Sequence, residues 1–187
     1  LETEDFAAEI AETTGIVVYT FIDEHVLRTR DFILGASYRG KRAVYETDAD
    51  GSLVRCGTWD TCHPWRHRFM RYLNGSRLRA LTGVEMPLTA DDFERTARAI
   101  SQMKLMTQRR LRHGQLLVVF YPGCRLAPRL MPLLTDRRIR FLDLSGAFDG
   151  ISPPHVLSIF NRHPNADAYD RVASSIFIAT TQRVATQ

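Results

Sequence analysis

Two places in this chain put ionisable side chains on stiff backbone. The first is FNRHPNADAYDRVA, Phe160 to Ala173, where His163 stands between Arg162 and Pro164. An imidazole titrates near neutral pH, and a proline corner holds it in place, which suits a general base. A plain helix start is the simpler reading of the same residues, with Asn165 as N-cap. The second place is Asp23-Glu24-His25, directly after the apolar run GIVVYTFI, Gly15 to Ile22. Polar residues at the carboxyl end of a parallel strand lie where open α/β sheets take their ligands. Asp23 and His25 are therefore candidates for a pocket rim, with strand-end capping as the alternative.

Other clusters point to chemistry less strongly. Cys56, Cys62, His63 and His67 have the wrong spacing for structural zinc, which favours about two to four residues between its cysteines. Neighbouring Cys62 and His63 do not aim the same way, so no metal is expected. A Cys56–Cys62 bridge and three free thiols both remain open. Cys124, in YPGCR, has only Arg125 beside it, which is not enough to argue a lowered pKa. HPWRHRFMRYL reads as an aromatic and basic loop packed over the strand ends. QRRLRHG, Gln108 to Gly114, reads as a helix end whose cations suit the helix dipole.

The elements that must position these residues follow from periodicity. Gly15–Ile22, Gln115–Gly123 and Ile139–Ser145 are apolar, β-branched runs of the kind buried in parallel sheets. AVYETDADGSLVRCG reads as a hairpin with Asp50-Gly51 at its turn. LTADDFERTARAISQMKLMTQRRLRHG is the clearest helix, capped by Thr89, stopped at Gly114, with Phe93, Ala97, Ile100, Met103 or Lys104, and Leu111 on one face. Pro128 and Pro132 limit a short helix between the later strands. The closing helix, from Asn165, is expected to bury Tyr169, Val172, Ala173, Ile176 and Phe177. Alternating strands and helices imply an α/β fold, three layers around a parallel sheet in flavodoxin-like order. A single domain over 1–187 is expected, with an insertion at about 32–87, after the first strand.

The chain has 187 residues, 44% of them hydrophobic, enough for a real core. Its formal net charge is +4, which permits a polyanion partner without implying one. No apolar run reaches the ~20 residues of a membrane span, and no signal peptide is visible.

The order VVYTFIDEHVLR, hairpin, VVFYPG, FLDLSGAFD, NRHPNADAYDRVA resembles the later part of an SGNH/GDSL-type hydrolase domain. The likeness covers most of the chain as a pattern of strand ends. Its specific motif is His-Pro-Asn before a small-residue helix. The resemblance implies serine-type ester hydrolysis or acyl transfer with His163 as base and Asn161 in the place of the orienting acid. It implies a small-molecule, carbohydrate or lipid ester as substrate, no cofactor, and a location that could be secreted; no nucleic-acid partner is expected. Three departures accompany it. The Gly-Asp-Ser nucleophile segment and its central strand are absent, so an N-terminal segment of the same protein is expected to be missing. Asn161 carries no charge. Asp23 stands where an Asn oxyanion donor is usual. Asp23-x-His25 with a later serine also resembles permuted relatives, for which Ser145 is the candidate nucleophile. The alternative function is a non-catalytic module that binds a glycan or anionic polymer. Without the central strand, Gly15–Ile22 should have an open edge, with Val17, Val18, Tyr19 and Phe21 exposed.

Overall fold

A computed structural model describes residues 14–29, 43–49, 53–75, 87–111, 113–149 and 164–181. The chain divides into two compact units: Leu1–Asp23 with Met103–Gln187, and Glu24–Gln102. The fold is α/β, with a parallel sheet and an antiparallel hairpin after the first strand. His163, Asn161, the Asp50-Gly51 turn and the helix-like segment Leu1–Glu12 lie outside the described residues.

The first unit is built on strands β1 (Ile16–Phe21), β4 (Gln115–Phe120) and β5 (Arg140–Asp143), all parallel, in the order β1-β4-β5. Strands β2 (Ala43–Thr47) and β3 (Leu53–Thr58) belong to the second unit. The central strand β4 is buried from Leu116 to Phe120, as its unbroken apolar run LLVVF requires. Phe21, Phe120 and Phe141 cross the sheet edge to face, with ring centroids 5.4 and 5.8 Å apart. Such geometry adds ~0.5–1.5 kcal/mol per pair beyond the area buried. Among the described residues β1 is an edge strand, as expected. Its side chains differ from expectation. Ile16 and Val18 are exposed, Val17 and Tyr19 are half-buried, and Phe21 is fully buried. The alternation is that of a strand with one covered face, and Phe21 is held inside by Phe120.

Two helices complete this unit. Helix α5 (Ala127–Asp136) starts with Pro128 in its first turn, where a missing N–H costs nothing, and buries Ala127, Leu130 and Leu134. It ends with Arg138 in the left-handed region, φ 51°. The Lys104 ammonium donates to the Arg138 carbonyl at 2.8 Å, satisfying one acceptor past that helix end. Helix α6 (Ala166–Thr181) begins at Asn165, whose Oδ1 accepts the Ala168 N–H at 2.9 Å. The expected cap is therefore present. The expected buried face is present only in part: Val172 is buried as expected and Ile176 half-buried, but Ala168 is buried as well, Ala173 is exposed, and Tyr169 is 55% and Phe177 67% exposed.

The course of α6 is fixed at both ends. Near its start, Asp170, Arg171 and Ser174 share a cavity with Leu144, Ala147 and Phe148, which follow β5. Near its end, Ala179 shares another with Arg138, Ile139 and Arg140, at the beginning of β5. The helix thus runs antiparallel to β5, as a crossover helix does, and begins at the carboxyl ends of the strands.

The second unit holds α1 (Glu24–Thr29), the hairpin β2 (Ala43–Thr47) and β3 (Leu53–Thr58), α2 (Trp59–Cys62) and α3 (Pro64–Gly75). It also holds the first part of α4 (Ala90–Arg110), whose residues from Met103 onward belong to the first unit. Thr89 and Asp92 cap α4 reciprocally: the Asp92 carboxylate accepts the Thr89 N–H at 2.8 Å, and Thr89 Oγ1 accepts the Asp92 N–H at 3.4 Å. Phe93, Ala97, Ile100 and Leu111 are buried as the pattern predicts. Gly114 follows Leu111 by a turn in which its N–H donates to the Leu111 carbonyl at 2.8 Å.

Cys56 and Cys62 form a disulfide with Cα atoms 6.0 Å apart. Their sulfurs are spent on each other, so the Cys-His cluster cannot offer two thiolates to zinc. His63 is engaged elsewhere, against the buried Trp59 ring and 3.3 Å from the Glu46 carboxylate. HPWRHRFMRYL is not a loop. From Pro64 onward it is helix, part of α3, and Trp65, Phe69 and Tyr72 are exposed.

Candidate functional site

Three strand ends of the first unit converge. The Tyr121 N–H donates to the Phe21 carbonyl at 2.9 Å, and the Leu144 N–H to the Phe120 carbonyl at 3.1 Å, so the ladder continues one step past each strand. The chain then turns at Tyr121-Pro122-Gly123-Cys124, closed by the Cys124 N–H on the Tyr121 carbonyl at 3.0 Å. Proline at the second position and glycine at φ 83° in the third make this a type II turn. The Gly123 N–H donates to the Ser145 carbonyl at 2.8 Å, tying the turn to the segment after β5. That segment has its own turn, in which Asp143 Oδ1 accepts the Ser145 N–H at 2.9 Å.

Asp23 sits at the end of β1, as its sequence position implies, and its carboxylate has a definite task. It accepts the Leu126 N–H at 3.0 Å, the Arg125 N–H at 3.1 Å and the Cys124 thiol at 3.1 Å. Those N–H groups lead into α5, so Asp23 caps a helix distant in sequence with a charge that suits its dipole. It faces donors, as a carboxylate must, and offers no N–H to a developing oxyanion. Of its two sequence readings, the capping role is the one carried by these contacts.

Cys124 is buried, and its thiol pKa is pushed up to about 12, first by burial and then by the hydrogen bond to Asp23 and its charge. A thiol so held stays protonated and is not a nucleophile at neutral pH. Tyr121 presents a buried hydroxyl with no hydrogen-bond partner among the described residues. Burial raises its pKa, and Tyr169 in the first turn of α6 raises it further.

Between the segment after β5 and the first half of α6 is a cavity of about 380 Å3, lined by Leu144, Ala147, Phe148, Arg171, Ser174 and Ser175 among others. Its size suits a small molecule. Arg171 there pairs with Asp167 one turn earlier, 3.2 Å from Nε to Oδ2.

The structure therefore brings Asp23, Tyr121, Cys124 and Ser145 to one end of the first unit's sheet, and the start of α6 to the same end. His25 is half-buried in α1 of the second unit. Sequence reasoning missed Tyr121, whose signal was its place directly after the most apolar strand. It also missed the use of Asp23, because no spacing rule links residue 23 to residues 124–126. No family model matches the chain, and no curated protein or solved structure matches it.

Proposed function

We propose that this chain carries part of a serine-type site for ester hydrolysis or acyl transfer, of the SGNH/GDSL kind, with His163 as general base and Asn161 orienting its ring. The observation that carries the reading is the course of α6. The residue after His163 is Pro164, and the helix that follows starts beside Tyr121 and the Leu144–Phe148 segment, at the carboxyl ends of the strands. Open α/β sheets take their ligands at that end. The strand order β1-β4-β5 supports it too, since a further parallel strand could add along β1 and bring a serine to the same end.

In this reading the His163 imidazole takes the serine proton as the hydroxyl attacks the ester carbonyl, and returns it to the leaving alkoxide. The Asn161 amide oxygen accepts the other ring N–H and fixes the tautomer. It adds no charge to stabilise the imidazolium, so turnover is slow beside an aspartate-assisted site. Asp23 shapes the rim by holding α5. The substrate is a small ester, an acyl group on a carbohydrate or lipid, and the chemistry needs no cofactor.

The test is hydrolysis of p-nitrophenyl acetate by the chain extended through its preceding reading frame, with and without His163→Ala. Loss of turnover in the variant is the expected result, together with no serine turnover by the 187-residue chain alone. Equal rates would eliminate the hydrolase reading and leave a module that binds a glycan or anionic polymer.

A further inference from the structure

Helix α3 of the second unit has a composition its fold does not use. Trp65, Phe69 and Tyr72 are 79%, 59% and 78% exposed. Their spacing, four and then three residues, places them within an arc of about 60° and along roughly 10 Å of helix. His67 projects from the other side, half-buried, with its Nε2 shut off from solvent. The helix is therefore seated by one face and presents a ridge of aromatic rings on the opposite one. Arg66 and Arg68 flank that ridge, and the Arg68 guanidinium lies 5.6 Å from the Trp65 ring centroid. PWRHRFMRYLNG contains no Asp or Glu to offset these cations.

We infer that α3 is a docking element for an anionic phospholipid surface, lying in the interface plane with Trp65, Phe69 and Tyr72 in the headgroup boundary and its arginines on lipid phosphates. The one-signed charge selects an anionic partner. The shape selects among anionic partners. Rings radiating from a helix form a convex ridge, which enters a fluid interface readily, whereas a sugar or base stacks on a flat, fixed ring face. Trp and Tyr with arginine beside them are the side chains favoured at that depth. Among the described residues no helix is long and apolar enough to cross a membrane, so contact through α3 is peripheral. The inference does not rest on the ester reading and survives its failure.

The test is co-sedimentation of the full chain with vesicles of mixed phosphatidylcholine and phosphatidylglycerol, against vesicles of phosphatidylcholine alone. Binding to the anionic vesicles only, weakened by salt, is expected. R66Q/R68Q should lower the partition constant about 30-fold, and F69S about tenfold. Trp59 is buried and Trp65 exposed, so a blue shift of emission on binding belongs to Trp65 and should vanish in W65F. Unchanged far-ultraviolet circular dichroism verifies that the variants fold. No binding to anionic vesicles, or equal binding by wild type and F69S, would overturn the inference. So would retention by an oligosaccharide or single-stranded DNA in place of vesicles, or a dimer in sedimentation velocity that F69S dissociates.

Discussion

Replacing Asp23 by asparagine keeps the size of the side chain and removes its charge. The carboxylate now accepts two backbone N–H groups and a thiol, at 3.0 to 3.1 Å. An amide has one acceptor oxygen, and its NH2 would face donors. Loss of a helix cap costs ~1 kcal/mol, and loss of the charge at a helix N-terminus ~0.3–1 kcal/mol. The sum is about 1–2 kcal/mol, or a melting temperature lower by about 3–8 °C for a chain of this size. Thermal melting followed by circular dichroism measures it. The thiol supplies a second readout. Its pKa is about 12 in the fold against an ordinary 9.0, so the folded state keeps a proton that the unfolded chain releases. This group's stabilisation is complete below pH 9.0 and is lost as pH rises toward 12, at ~1.4 kcal/mol per pH unit. Asp23→Asn removes the charge and weakens the hydrogen bond while leaving burial. The thiol should titrate lower, by thiolate absorbance, and the window of pH-dependent stability should shorten from its alkaline end. A variant that melts with wild type and titrates with it would refute the capping role.

Two further outcomes follow from packing and covalent chemistry. Gly114→Ala should destabilise by ~1–3 kcal/mol in urea unfolding, because a Cβ there would lie 2.6 Å from Leu111 Cβ and 2.7 Å from the Thr107 carbonyl oxygen; stability equal to wild type would mean the turn relaxes freely. Alkylation in denaturant without reductant should modify Cys124 alone of the three cysteines, and all three after reduction. Reduction should also lower stability by about 2 kcal/mol, as expected for so short a closed loop.

The strands and the long helix were legible because burial imposes a pattern. LLVVF could only be an interior strand, and Thr89 with Asp92 could only open a helix. The orientation of α6 was legible only in part. Val172 is buried as read, but Tyr169 and Phe177 are its largest apolar residues, and a rule that buries the largest chooses them over Ala168. Close approach of backbone favours small side chains, and a single sequence does not tell which helix is pressed close. The aromatic ridge of α3 was misread as a packed loop for the same reason, since rings count as core until exposure is known. At the candidate site, the position of Asp23 at a strand end was readable from the apolar run before it. Its partners were not, because they are about a hundred residues away and meet it only through parallel pairing of β1 with β4.

That pairing has a consequence for biosynthesis. Ile16 is in register with Gln115, and 115 − 16 = 99 residues separate them in the chain. At ~5–20 residues per second, a ribosome finishes β4 some 5–20 seconds after β1 emerges. Until then neither the backbone groups that β1 turns toward β4 nor the ring of Phe21 has its eventual neighbour. The cap that Asp23 supplies must wait as well, because α5 is translated later still. The hairpin, by contrast, joins segments a few residues apart and needs nothing from downstream. Nascent chains therefore pass through an interval in which a finished hairpin coexists with an orphaned strand, and holdases have their opening during that interval.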